Sequence, residues 1–287
     1  MTSMPTETAR MPAPAAMAAR VMVAGHLGEF LQGRLGPGGP VALISLPCPA
    51  LVLSAEFFSA GAGLTLGGDA PRLVSKRAAR RMLARLGRSL RGRVRMSAAM
   101  PAGGGAGAST AALVALARLA GGGRHSRLAR ACVAVEGASD PLMYPAPERL
   151  LFASRRGEVL ARLPAPPAFE VVGGFFGPAR ATDPAETGFP DIADLIGPWA
   201  LAAAARDRAA LAGLAAEAAA RRLGPAALAR DPTPGLARRL GAPGWAMAHT
   251  GPARALLFAP GRAPARAGAV LARAGFRQVL RFRTGPG

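Results

Sequence analysis

The chain has 287 residues, 51% of them hydrophobic, and a formal net charge of +20. That much apolar material supports a sizeable core and excludes wholesale disorder. Lys76 is the sole lysine, the scattered arginines accompany the abundant Ala, Gly and Pro of a GC-rich coding sequence, and aromatics are few, so neither nucleic acid nor a membrane is the expected partner.

Residues 1–19 read as a disordered leader lacking the charged start and leucine-rich stretch of a secretory signal, which points to the cytoplasm. No apolar run reaches membrane-spanning length without an Arg or Pro. Cys48 and Cys132 lack metal-ligand spacing and read as buried free thiols. "RVMVAG" alternates like a strand that stops at Gly25, and "VALISLPCPALVLSAEFF" suggests two strands bent at Pro47 and Pro49. Over 71–88 the spacing predicts a helix burying Leu73, Val74, Met82, Leu83 and Leu86, with Arg77, Arg80, Arg81, Arg85 and Arg88 on the solvated face. A basic nucleic-acid-binding domain working through that face is one competing class.

"RGRVRMSAAM" reads as a strand running into "PAGGGAGASTAA", followed by a helix over 109–120 that ends at "GGG". A second helix covers "SRLARACVAVEGAS". Strands follow at "EVLARL" and "AFEVVGGFF", then helix over 194–223 and short helices over 225–240 broken at Pro232 and Pro234. "GWAMAHTGPARALLFAP" is strand, turn, strand, before a helix at 263–275 and a last strand, "RQVLRFR". The class is α+β, with no internal repeat and a division near residue 160.

The glycine run raises the functional question. Strand, glycine loop and helix together offer free backbone N–H groups and a helix dipole to an anion, although a biased composition also produces glycine-rich linkers. A Walker loop needs a lysine before its Ser/Thr, and Ala108 stands there. A Rossmann turn needs an acidic residue about twenty positions downstream, and none is present.

"PAGGGAGASTAA" instead resembles the phosphate loop of the GHMP kinases. Three further stretches agree in order: "GHLGEFLQG" at 25–33, "VEGASDPLMYP" at 135–145 with the following "LLFASRRGEVL", and "AMAHTGPARALLF" at 246–258. The first is similar to the variant found in L-threonine kinases of the propanediol-utilisation and cobalamin type. The resemblance spans about 20–285. It implies a two-domain fold, with a ribosomal protein S5 domain 2-like ATP-binding half at 20–160 and a ferredoxin-like half at 161–287. The activity it implies is ATP-dependent phosphorylation of a small alcohol or amino acid, with ATP and Mg²⁺ as cofactors and a monomer or homodimer as the assembly. L-threonine is the first substrate, homoserine another. A nucleotide-binding regulatory protein with weak or no catalysis is the alternative.

By the same resemblance, Pro101, Gly103, Gly104, Gly105, Gly107, Ala108, Ser109 and Thr110 hold ATP. Ser109 and Glu136 bind magnesium, and Asp140 is the catalytic carboxylate. Ala108 replaces the usual first Ser, for which Thr110 is a substitute hydroxyl. Glu29, Gln32, His249, Thr250 and Gly251 are substrate-binding candidates, with Glu29 suited to an ammonium group. Arg254 is a candidate replacement for a phosphate-binding lysine. Each has a plainer reading: an N-cap for Ser109, a surface pair for Glu136 and Asp140, local capping for Glu29 and Gln32, and a structural histidine for His249.

Overall fold

Two long strands carry the rest of the molecule: β1 (Met17–Arg34) and β2 (Val41–Phe58), paired antiparallel around a turn where Gly36 and Gly38 take positive φ. The computed structural model describes residues 17–59 and 63–285. The leader expected at 1–19 thus lies outside the described residues up to residue 16, and 17–19 are strand. β1 does not stop at Gly25 but continues through irregular pairing on both sides of Glu29. The two strands expected around Pro47 and Pro49 are one. Pairing jumps there from Ala24 opposite Val52 to Gly25 opposite Cys48. A bulge tolerates residues that cannot donate to the ladder.

β3 (Leu64–Gly68) lies parallel to β4 (Gly92–Ala98), which pairs antiparallel with β2. The single helix expected between them is two, α1 (Ala70–Leu73) and α2 (Lys76–Arg85). Ser75 makes the break by accepting the Ala78 N–H at 3.0 Å and starting α2. The expected apolar residues are buried and the five arginines exposed. α3 (Ala108–Leu119) follows the glycine loop and is buried on almost every side against β1, β2, α2 and α4 (His125–Glu136). Its alanines keep it slim enough to lie close under the sheet. β5 (Leu150–Ala153) and β6 (Glu158–Arg162) form a hairpin, with β5 also on β2. The division expected at 160/161 therefore falls inside β6.

The second half runs β7 (Glu170–Phe175), α5 (Ala193–Ala204), α6 (Arg208–Leu228), α7 (Thr233–Leu240), β8 (Gly244–Met247), β9 (Ala253–Phe258), α8 (Ala267–Arg273) and β10 (Arg277–Arg283). The helix expected across 194–223 breaks at Arg206, which takes φ +57°, and restarts where Asp207 accepts the Ala210 N–H. One sheet crosses both halves in the order β10-β7-β9-β8-β1-β2-β4-β3, joined at its middle by Glu29 opposite Met247. The main core also draws on both halves: Phe30 packs on Phe169 and Trp199. A second cluster lies between α7, α8 and β7 to β9. Cys48 and Cys132 are free and buried, and burial pushes both thiols up, to about 11 and about 12. Among the described residues, no helix is long and apolar enough to cross a membrane.

Candidate active site

A cleft of about 500 Å³ opens at the seam of the two halves, where the β4–α3 loop, β1, the end of α4 and the β8–β9 turn meet. The loop is held from behind by its carbonyls. Gly103 O accepts from Arg180 N–H (2.9 Å), Gly104 O from Ala253 N–H (3.1 Å) and Ala106 O from His26 N–H (3.3 Å). Gly107 caps α3 in the left-handed region, φ +77°, and no side chain caps the helix. Among the described residues, the first N–H groups of α3 thus lack both intrahelical and side-chain partners, as an anion cradle requires.

Two hydroxyl–carboxylate pairs stand at the start of α3. Ser109 Oγ donates to Glu136 Oε2 at 3.0 Å, and Thr110 Oγ1 donates to Asp140 Oδ2 at 3.2 Å. Gly137 ends α4 in the left-handed region, and the Ser139 N–H then bonds Ser154 O on β5's edge, so the chain delivers Asp140 to the cleft. On the other wall, irregular stretches of β1 bring two polar residues, three apart, to the cleft. His26 Nδ1 lies 3.3 Å from Glu29 Oε1, and His26 Nε2 lies 3.6 Å from Asp140 Oδ1. Glu29 Oε2 accepts the His249 N–H at 2.5 Å.

The charges follow from that packing. Burial alone would lower the His26 pKa, but Asp140 and then Glu29 outweigh it and raise it to about 9. Burial lifts Asp140 too, yet the His26 charge and the Thr110 hydroxyl bring it below the ordinary carboxylate range. Glu136 is pushed up to about 7 by burial, opposed by Ser109. Glu29 rises to about 7 by burial, opposed by His26. His249 drops to about 3 through burial and the Arg222 charge, so it is neutral at pH 7.

No protein-family model and no curated protein sequence matches the chain. Solved structures do. The phosphomevalonate kinase of Streptococcus pneumoniae superposes with a TM-score of 0.62 at 13% identity, covering 94% of this chain and 99% of that one. The homoserine kinase of Cytophaga hutchinsonii gives 0.60 at 15%, covering 96% and 97%. The mevalonate kinase of methicillin-resistant Staphylococcus aureus gives 0.59 at 16%, covering 92% and 97%. The chain has the GHMP kinase fold.

Within that fold, Gly103, Gly104, Gly105, Gly107, Ala108, Ser109, Thr110, Glu136, Asp140, Glu29, His249 and Thr250 all line the one cleft. Three expected residues do not line it. Pro101 lies beneath the loop, where its ring would meet a side chain at Gly104. Gly251 (φ +100°) packs under Gly103 to Gly105. Gln32 is buried and its Nε2 donates to Met247 O at 2.8 Å, so it braces β8 rather than facing a substrate. Three assigned tasks also change hands. Glu29 is 1% exposed with both oxygens engaged, and His26 is the cation against it. Thr110 is committed to Asp140, leaving the hydroxyl lost at Ala108 without a substitute. Arg254 is buried, bonding Asp231 at 3.0 Å and the carbonyls of Gly251 and Ala253, so it replaces no phosphate-binding lysine.

Sequence reading missed His26, Ser154, Arg155 and Arg180 among the lining residues. His26 sat inside the quoted "GHLGEFLQG", three residues before Glu29, and was open to discovery. Arg180 lies in an irregular stretch with no periodic signal. Arg222, which stacks on Phe189 (4.8 Å), donates to His249 O (3.0 Å) and pairs with Glu186 (2.6 Å), was concealed in an alanine-rich helix.

The raised pKa of His26 makes a stability prediction. A base whose pKa is higher in the folded state contributes fully below pH 6.5 and loses that contribution as pH rises through about 9. From pH 6.5 to 9 the wild type should lose stability that His26→Gln does not lose. Urea unfolding of both proteins across that range checks it; parallel curves would remove the ionised-histidine assignment.

Proposed function

We propose that the chain transfers the γ-phosphoryl group of ATP to the hydroxyl of a small amino acid, L-threonine first and homoserine second. The observation that carries this reading is the pairing of Thr110 with Asp140 and Ser109 with Glu136 at the open N-terminus of α3. Phosphoryl transfer asks for little covalent chemistry from the protein, and mostly for positioning and charge neutralisation. The loop supplies unpaired N–H groups for the polyphosphate. Ser109 and Glu136 present a hydroxyl and a carboxylate side by side, a hard-oxygen donor set that fits Mg²⁺. Bound there with the nucleotide, the ion would neutralise phosphate charge.

Asp140, kept ionised by His26 and Thr110, accepts a hydrogen bond from the acceptor hydroxyl and orients it. As the new O–P bond forms and the bond from Pγ to the bridging oxygen breaks, ADP leaves and the hydroxyl proton passes to Asp140. His249, Thr250 and Ser154 offer unpaired buried polar atoms on the cleft wall for the acceptor's remaining groups. The choice of threonine rests on resemblance, that of "GHLGEFLQG", "VEGASDPLMYP" and "LLFASRRGEVL" to the motifs of the L-threonine kinase branch.

One observation favours the second reading, a nucleotide-binding protein with weak catalysis: Ala108 leaves a gap that Thr110 does not fill. ADP release with Mg-ATP across a panel of hydroxyl amino acids and small alcohols separates the two. Acceptor-dependent release, greatest with L-threonine, supports the kinase; ATP binding with no acceptor-dependent release supports the second reading. Ser109→Ala should raise the magnesium concentration required for half-maximal release, and an unchanged requirement would remove Ser109 from the metal site.

A further inference from the structure

The glycine loop contains no cation from Pro101 to Thr110, and the cleft it borders holds three carboxylates, Glu29, Glu136 and Asp140. A nucleotide polyphosphate entering it needs a positive partner from elsewhere. Three arginines line the cleft: Arg72, Arg155 and Arg180. Arg155 is already spent. Its Nη1 donates to Pro184 O and its Nη2 to Asp183 O at 2.8 Å. Arg72 reaches the cleft from α1 with no backbone bond to the loop.

Arg180 differs from both. Its backbone N–H donates to Gly103 O at 2.9 Å, and Ala179 packs where a Gly103 side chain would stand. The irregular strap bearing it is pinned further on by Arg155, holding the carbonyls of Asp183 and Pro184, and by the Arg222–Glu186 ion pair. Among the described residues, the exposed Arg180 guanidinium has no hydrogen-bond or ion-pair partner, and Arg180 lines the same cleft as Ser109 and Thr110. We propose that Arg180 is the cation that grips the nucleotide's polyphosphate, carried to the loop on a strap bonded to the loop's own backbone. This rests on the phosphoryl-transfer reading above. A planar guanidinium makes paired, charge-assisted hydrogen bonds to phosphate oxygens, which an ammonium does not reproduce in that geometry.

The test is a calorimetric titration of the full chain with Mg-ATP, Mg-ADP and AMP, in wild type, Arg180→Ala, Arg180→Lys and Arg72→Ala. Arg180→Ala should weaken ATP and ADP binding by roughly 10- to 100-fold and AMP by much less, with Arg180→Lys between the two and Arg72→Ala near wild type. The melting temperature should be unchanged, because among the described residues the guanidinium has no hydrogen-bond or ion-pair partner to lose. Wild-type ATP affinity in Arg180→Ala, equal losses for ATP and AMP, or a loss confined to Arg72→Ala would overturn the assignment and leave the kinase reading standing. A wild-type protein that binds none of the three nucleotides would instead overturn the kinase reading itself.

Discussion

Asp140→Asn should lower kcat by roughly 100- to 10,000-fold while leaving the KM for ATP within about threefold of wild type. The substitution keeps the size of the side chain and the bond from Thr110 Oγ1. What it removes is the negative charge that accepts the substrate proton and faces His26 Nε2 at 3.6 Å. Because Asp140 is held below the ordinary carboxylate range, the wild-type rate should show no acid limb near neutral pH due to this group. The loss should therefore be equally large at pH 6 and pH 8. Steady-state kinetics at both values check it. A wild-type rate would show that Asp140 neither orients nor deprotonates the acceptor, and phosphoryl transfer would then proceed without a base from this position.

Gly105→Ala is the second large expected effect, on stability and nucleotide binding together. Gly105 takes φ +73°, and a Cβ there would stand 2.2 Å from Thr250 O and 2.4 Å from the Ala248 Cβ. The left-handed backbone costs a residue with a Cβ about 1–2 kcal/mol. The clash comes on top, since the obstacles are the β8–β9 turn and not a flexible side chain. A total of about 2–4 kcal/mol, with loss of ATP affinity as the loop is driven from the turn, is the expectation. Gly36→Ala is the matched control: φ is +75°, but among the described residues nothing lies within 4 Å of its Cβ. It should pay only the backbone cost and bind ATP normally. Urea unfolding and nucleotide titration of both variants decide the matter. Equal costs for the two would mean that the loop and turn are not packed as described.

Local pattern carried most of the elements. The apolar face of α2, the alternation in β4 and β10 and the strand–turn–strand of β8 and β9 were all legible, because each is written in side chains a few residues apart. The errors came where long-range packing overrode a local stop. β1 continues past Gly25 because β2 and β8 flank it, and Pro47 and Pro49 are accommodated in a bulge of one long strand. The break at Arg206 had no glycine to announce it.

The candidate site divides in the same way. The loop, the two hydroxyls and the two carboxylates could be read from residues and motif order, and they do line one cleft. Their partners could not. That His26 lies against Asp140, that Thr110 is already occupied and that Arg180 is bonded to Gly103 are facts of tertiary contact between distant segments. Glu29 was noticed for the right reason, a carboxylate in an apolar stretch. His26 lies against it at 3.3 Å.

Phosphorus NMR of the purified protein with Mg-ATP and L-threonine tests the central claim most directly, because it separates transfer to an alcohol from hydrolysis. The account predicts that the γ-phosphorus signal is replaced by that of a phosphate monoester, in step with ADP, and that this product is missing with Asp140→Asn. ADP accompanied only by inorganic phosphate, or no ADP at all with any hydroxyl acceptor while ATP remains bound, would contradict it.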